Sequence, residues 1–331
     1  MDIWLIVCLI LSFLITFLII PLWIKKTRDV GLVEEDWQKI DKPKVSEAGG
    51  LIVLIGFLVS VFFYVAIKTF VYKTQSDILD IFAICLSVLI VSMIGFTDDI
   101  LTWKKGFRQW VKPVLTIFAS LPLIIINIGQ STVNIPFIGN VNFGLFYPLL
   151  LIPLGVVGAS NGFNILAGYN GLETGMGIII LGFLGFVSFL NGQTWLTVIA
   201  LCAVFSLIAF LIFNKNPAKV FGGDVLTYFI GGLIACLAIA GNMEKIALIL
   251  FIPYFIEIIL KARSKFQAYS MGIPQPDGTI EKRYEKIYGL EHFFISFLKK
   301  IKPSHKVYER DVVWSISIME ILIVFIIILF V

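Results

Sequence analysis

Charge is scarce in this chain. Asp, Glu, Lys and Arg together make up 15% of 331 residues, against roughly a quarter in a soluble domain. That shortage excludes an ordinary water-soluble globule. Histidine is scarcer still, with two copies, His292 and His305, and each on its own reads as a surface residue. The four cysteines, Cys8, Cys85, Cys202 and Cys236, lie inside apolar runs without metal-like spacing, so they read as small buried apolar residues. Residues 1–24 have no basic leading segment and no small-residue cleavage site, which predicts a retained first span in place of a removed signal. No internal repeat is visible.

What fills the chain is apolar: 59% hydrophobic residues with 30 Phe and a mean hydropathy of +0.96. Runs near the 20 or so residues that cross a bilayer fall at about 3–24, 48–67, 78–97, 111–127, 146–161, 175–191, 195–213, 225–242, 244–261 and 312–331. The expected fold is therefore an all-α polytopic membrane protein of ten transmembrane helices, a single transmembrane domain over 1–331. With both termini extracytoplasmic, 23 of the 26 Lys and Arg residues fall in inner segments, the bias that orients membrane proteins. The net charge of +4 then belongs to the bilayer surface and not to nucleic acid. The last inner segment, 262–311, carries Pro276-Asp277-Gly278, a hairpin signal, followed by a 289–302 stretch with one apolar and one basic face, as an interfacial helix has.

Polarity gathers at the inner ends of the spans. NGFNILAGYNGLETG, residues 161–175, holds three asparagines (Asn161, Asn164, Asn170), Glu173 and four glycines between two apolar runs. Irregular polar backbone at membrane depth survives only inside protein or along a wet cavity. Asn161 and Asn164 share a helix face, as cation or base-edge ligands or as glue between helices; Asn170-Gly171 reads as a turn. Asp98 and Asp99 close the third span, where the helix dipole and mutual repulsion both disfavour them, so a bound cation or facing basic groups are expected. Lys104, Lys105, Arg108 and Lys112 follow, as phosphate ligands or as lipid-headgroup lysines. Lys42 and Lys44, just before a Ser-Glu-Ala-Gly-Gly entry to the second span, read as membrane-interface lysines before a loosely capped helix or, with Gly49 and Gly50 letting backbone come close, as a wall for an anionic ligand. Gly222-Gly223-Asp224 opens a helix, with Asp224 as a simple N-cap or as a ligand, and Lys219 stands just before it. Arg263 and Lys265 could reach an anion from the last inner segment. Glu257 has Lys261 at i+4 as its expected partner, while Glu320 has none that the sequence names. Oxygen ligands without His or Cys suit Mg²⁺, with Mn²⁺ as a substitute.

Taken together, TDDIL with its trailing basic residues, NxxNxxxGxNGLExG and NPAKVFGGD before a helix resemble the polyprenyl-phosphate N-acetylhexosamine-1-phosphate transferases, over nearly the whole chain. NILAGYNGLE looks closer to the archaeal and eukaryotic dolichyl-phosphate branch than to the bacterial pentapeptide branch, whose His-rich cytoplasmic motif is missing here. The resemblance implies a UDP-N-acetylhexosamine donor, a polyprenyl or dolichyl phosphate acceptor in the bilayer, an active site on the cytoplasmic face of a prokaryotic, archaeal-type plasma membrane, and room for a homodimer. It implies catalytic Asp98, Asp99, Asp224 and Lys112, Mg²⁺ on Asn164 and Asp224, Asn170 near the uracil, Glu173 supporting that loop, and Lys112 or Arg108 on phosphate. It further implies substrate contacts from Lys44, Glu47, Gly50, Asn161, Lys219, Arg263 and Lys265, with 261–311 over the sugar. Two alternatives stay open: another UDP-N-acetylhexosamine serving cell-envelope polymers, and a non-enzymatic polytopic transporter, which would carry ionisable residues deep in its spans. The DG-x₂-AR signature of CDP-alcohol phosphotransferases is absent.

Overall fold

The computed structural model describes residues 3–102, 106–135 and 139–330. Helix dominates, as an apolar chain in lipid must satisfy its backbone internally. In order, α1 (Ile3–Val30) leads to a short antiparallel pair, β1 (Val33–Glu35) and β2 (Lys44–Ser46), with Glu35 opposite Lys44. Then come α2 (Gly50–Ala66), extended by a π-helical turn at Ile67–Val71, and α3 (Ile78–Thr102). The helices α4 (Val111–Ala119) and α5 (Leu121–Ile125) form one apolar segment broken at Ser120, because Pro122 has no N–H to continue the helix ladder. A second hairpin, β3 (Thr132–Ile135) and β4 (Gly139–Asn142), precedes a π-helical turn (Tyr147–Leu151) and α6 (Ile152–Phe163). The chain continues through α7 (Leu172–Leu190), α8 (Thr194–Asn214), α9 (Gly223–Gly241), α10 (Glu244–Leu250) and α11 (Ile252–Ala262). A third hairpin, β5 (Ile273–Pro274) and β6 (Ile280–Glu281), leads to α12 (Leu290–Ile301) and α13 (Glu309–Phe330).

Among the described residues, seven helices are long and apolar enough to cross a membrane, namely α1, α2 with its π turn, α3, α7, α8, α9 and α13; 111–125 and 147–163 are shorter apolar segments. At the centre stands α9, with 83% of its apolar window buried, while α1 and α13 bury 28% and 33% and form the rim. α3 and α6 pack most closely on α9, with α2 and α7 alongside. The cysteines are buried and unpaired, as expected.

The Pro276-Asp277-Gly278 hairpin is present: Gly278 takes φ +78°, and Asp277 Oδ1 accepts from the Thr279 N–H at 3.2 Å and its hydroxyl at 2.6 Å. With Lys306 added, those bonds hold its carboxyl down at about 2. The helix read from 289–302 is α12, with Leu290, Phe294 and Ile295 buried and Phe293, Phe297 and Ile301 exposed. The hairpins β1–β2 and β3–β4 are additions to the expected all-helical body.

Candidate functional site

The C-terminal ends of α3 and α6 and the N-terminal ends of α7 and α9 meet the β1–β2 segment around a cavity of about 620 Å³. Its construction begins with the carboxylates that the sequence places so awkwardly. Asp99, at the end of α3, turns its side chain to the first turn of α9, where Oδ1 accepts the Asp224 N–H at 2.7 Å and Oδ2 that of Val225 at 3.0 Å. A negative charge that would be unfavourable at its own helix's C-terminus thus sits at another helix's N-terminus, where free N–H groups and the dipole stabilise it. Gly223 makes the approach achievable. Its φ is +72°, and a Cβ there would lie 2.4 Å from Asp99 Oδ2.

Asp98 faces basic charge instead. Its carboxylate accepts the Phe107 N–H at 2.5 Å and pairs with the Lys112 ammonium at 2.5 Å; the same ammonium pairs with Asp224. Asp224 therefore belongs to the first turn of α9, with Gly222 as the N-cap residue, and gives its side chain to Lys112. Lys112 comes from the start of α4, and the Tyr228 ring stands 6.0 Å from its ammonium.

Across the cavity, Asn164 ends α6 and its Oδ1 accepts the Thr227 hydroxyl at 3.0 Å; that hydroxyl also meets the Asp224 carbonyl oxygen at 3.1 Å. Asn170-Gly171 is a turn, as read from sequence, with Gly171 at φ +85° leading into α7. Asn170 donates Nδ2 to Asp36 Oδ2 at 3.0 Å and its backbone N–H to Glu309 Oε1 at 2.8 Å, while Glu173 accepts the Gly168 N–H. Glu47 also lines the cavity, buried, with Oε2 lacking a hydrogen-bond partner. Burial, then the charges of Asp99 and Glu34, push its carboxyl well above the usual range. Burial, then Asp224, likewise raises Glu34.

Eight of the expected residues share this cavity: Asp98, Asp99, Asp224, Lys112, Glu47, Asn164, Asn170 and Glu173. The others are elsewhere. Asn161 ties helices together, donating to Thr116 Oγ1 at 3.1 Å and accepting from the Tyr228 hydroxyl at 2.8 Å. Gly50 gives its N–H to the Gly222 carbonyl at 2.9 Å, behind the lining. Lys44, Arg108, Lys219, Arg263 and Lys265 are exposed and do not line it, so the ammonium between the carboxylates is that of Lys112 and not the guanidinium of Arg108. Lys104 and Lys105 lie outside the described residues. Glu257 has its expected partner, Lys261, at 3.3 Å, and Lys261 also donates to the Ile165 carbonyl. Glu320 is buried, neither oxygen hydrogen-bonded. His292 departs from its surface reading. It is buried, and burial with the charges of Lys261 and Arg283 lowers it to about 4, so it is neutral in the cell.

Sequence reasoning passed over Glu34 and Asp36, which line the cavity, and Glu309 behind it. Glu34-Glu35-Asp36 did carry a signal, three consecutive carboxylates in a basic inner loop; Glu309 carried none, since an acidic residue in a first helical turn is ordinary.

These features define a multi-pass membrane protein whose polar chemistry is concentrated in one acidic pocket at the helix ends. The chain belongs to glycosyl transferase family 4, which matches residues 81–242. It is 42% identical over 278 residues, 82% of each chain, to a candidate UDP-N-acetylglucosamine–dolichyl-phosphate N-acetylglucosaminephosphotransferase of Saccharolobus solfataricus. It is 28% identical over 294 residues, 76% of this chain and 70% of the relative, to the enzyme so named in Dictyostelium discoideum. It is 30% identical over 269 residues, 77% of this chain and 80% of the relative, to a phospho-N-acetylmuramoyl-pentapeptide-transferase of Halalkalibacterium halodurans.

Proposed function

We propose that this protein transfers N-acetylglucosamine 1-phosphate from UDP-N-acetylglucosamine to dolichyl phosphate, giving dolichyl-diphosphate-N-acetylglucosamine and UMP, the opening step of lipid-linked oligosaccharide synthesis for N-glycosylation. The observation that carries this reading is convergence. Three segments far apart in sequence, the end of α3, 164–173 and the start of α9, turn their polar side chains into one cavity. The names of the archaeal and eukaryotic relatives favour this donor and acceptor. The bacterial relative's name keeps a different UDP-N-acetylhexosamine as the second reading.

The ten-span arrangement belongs to this reading. The seven long helices, the segments 111–125 and 147–163 and the pair α10–α11 add up to it. The basic-residue bias supports termini outside and a cavity on the cytoplasmic face.

The lining suits a divalent cation. Its donors are oxygens without His or Cys, and Glu47 offers a buried oxygen with no partner. Among the described residues no three His, Cys, Asp or Glu side chains converge to hold a metal alone, so an ion here would rely on substrate phosphates and water for most of its ligands. Asp224 and Asn164 would hold it, and when bound, Mg²⁺ or Mn²⁺ supplies the neutralisation that two phosphorylated substrates need.

The chain's own residues do the positioning. A phosphate monoester is largely dianionic at cell pH, its second pKa being about 6, so the acceptor needs little help from a base. Its oxygen forms the new bond to the β-phosphorus of the donor while the bond from that phosphorus to the bridging oxygen breaks, and UMP leaves with the electron pair. The Lys112 ammonium, already between Asp98 and Asp224, sits where it can donate to a phosphate oxygen as charge shifts. The rival scheme, a covalent intermediate on Asp98, would use a carboxylate already engaged by Lys112 and the Phe107 N–H. A transporter would spread ionisable groups through its spans, whereas among the described residues most cluster at the helix ends, and the buried Glu257 has Lys261 as a partner.

The test is lipid-linked product formation by purified protein in vesicles, from radiolabelled UDP-N-acetylglucosamine and dolichyl phosphate with Mg²⁺. Product with this donor is expected and product from other UDP-N-acetylhexosamines is not; no product from any of them refutes the assignment. UMP release without acceptor would favour the covalent scheme.

A further inference from the structure

Glu309 opens the last helix, α13, yet it is 3% exposed and holds three other segments of the chain. Its Oε1 accepts the Asn170 N–H at 2.8 Å, and its Oε2 accepts from Asn216 Nδ2 and pairs with the Lys39 ammonium. Asn170 donates its side-chain Nδ2 to Asp36 at 3.0 Å, and Asp36 lies 3.8 Å from the same ammonium. Asn170 and Asp36 line the main cavity, whereas Glu309, Lys39 and Asn216 line a second one of about 480 Å³. Glu309 thus stands behind the wall of the site.

We infer that Glu309 is a positioning residue for the nucleotide donor: it tethers the Asn170-Gly171 turn, and with it the wall at the water-facing end of the cavity. This rests on the reaction proposed above. Gly168 and Gly171 both take positive φ, +107° and +85°. Backbone so rich in glycine has high intrinsic freedom, and a buried, charge-assisted acceptor removes it more firmly than a neutral one. The two ends of the cavity also differ. Lys112 and Asp98 lie beside α4, whose Val114 and Phe118 are exposed; an apolar outer face of that kind suits lipid, and with it the approach of a lipid phosphate. The Asn170 end is bounded by Asp36 and Met271 from extramembrane segments, the approach open to a water-soluble nucleotide. Slackening the turn should therefore weaken the donor and leave the acceptor alone.

The experiment compares wild type, Glu309→Ala and Glu309→Gln in steady-state kinetics with each substrate varied in turn, and in amide deuterium exchange. Glu309→Ala is expected to raise the KM for UDP-N-acetylglucosamine about tenfold, the equivalent of one charged hydrogen bond, with kcat and the KM for dolichyl phosphate within about twofold. Glu309→Gln keeps the volume and the acceptor for Asn170 while losing the charge that Lys39 needs, so a smaller rise, on the order of threefold, is expected even if the alanine variant does not fold. Lower kcat with both KM values unchanged, the mark of less folded enzyme, overturns the inference, as do equal rises in both KM values. Exchange separates the two proposals. Peptides covering 168–173 should exchange several-fold faster in either variant while 90–100 stays as in wild type. Unchanged exchange at 168–173 overturns the tether even in an active enzyme, whereas faster exchange there in a protein that makes no lipid-linked product sinks the reaction and keeps the tether.

Discussion

Gly95→Ala is the sharpest test of the construction. Gly95 lies one turn before Asp99 on the same face of α3, where a Cβ would stand 2.5 Å from the Asp224 carbonyl oxygen and 2.6 Å from its carbon. Those are backbone atoms at the start of α9, so no side chain can rotate away. Ordinary contact begins at 3.4 Å, so α9 must retreat by the difference, about 0.9 Å, at a cost on the order of 1–3 kcal/mol for overpacking. The retreat is directed away from α3, which also carries Asp99. The capping bonds of 2.7 and 3.0 Å would stretch to about 3.6 and 3.9 Å, beyond hydrogen-bonding range. A further loss of roughly 1.5–3 kcal/mol follows for bonds to a charged acceptor. Displacing Asp224 by nearly 1 Å from Lys112 should cut transfer about 100-fold, the usual penalty for such misplacement. The control is Gly158→Ala on α6, where a Cβ meets nothing within 4 Å and alanine should stabilise the helix by up to about 1 kcal/mol. Transfer assays and thermal unfolding of both variants decide the matter. Wild-type turnover in Gly95→Ala would refute the proposed dependence of catalysis on this helix contact.

Lys112→Met leaves Asp98 and Asp224 facing each other across the vacated position, at most about 5 Å apart, a repulsion of at least about 3 kcal/mol at an effective dielectric near 20. Transfer should fall about 100-fold or more with the helical circular dichroism intact, and retained activity would remove Lys112 from the chemistry. Glu47, whose carboxyl burial and the charges of Asp99 and Glu34 raise, holds its proton more tightly in the folded chain than in the unfolded one, which releases it near pH 4.3. Stability should therefore fall as pH rises from there through the folded value; Glu47→Gln should match wild type at the acid end and become relatively more stable toward neutrality, and parallel unfolding profiles would contradict this. Chelation by EDTA should stop turnover and added Mg²⁺ or Mn²⁺ should restore it, so full activity in EDTA would eliminate the metal.

Residues that share a motif were legible from sequence, and residues that meet through tertiary structure were not. Asp98, Asp99, Asn164, Asn170, Glu173 and Asp224 announce themselves because each is a costly polar group at the edge of an apolar run, and all of them line the cavity. Asp36 and Glu309 reach the same turn from opposite ends of the chain, and no local pattern records a meeting of that kind. The basic residues misled for a related reason. A lysine near a span end satisfies headgroups as readily as a phosphate site, and Lys44, Lys219 and Lys265 are exposed. Lys112 differs by standing at the start of a helix packed against α3. The β1–β2 and β3–β4 pairs escaped notice because strands of three or four residues are too short for alternation to separate them from loop.

The charge of the cavity itself has a consequence. Eight carboxylates line it and, among the described residues, one ammonium. If the reaction is as proposed, both substrates are anions, so protein charge cannot be what attracts them; each must arrive with cations, or find cations already gathered by the wall. An acidic lining of this kind concentrates divalent ions and holds phosphate only while they are present. A basic lining would bind the diphosphate product more tightly than either reactant needs, and would slow its departure into the bilayer. Glu35 and Asp36 therefore have a use without touching a reacting atom. In the proposed reaction they would make anion binding conditional on the cation, and loss of the cation would release the anions.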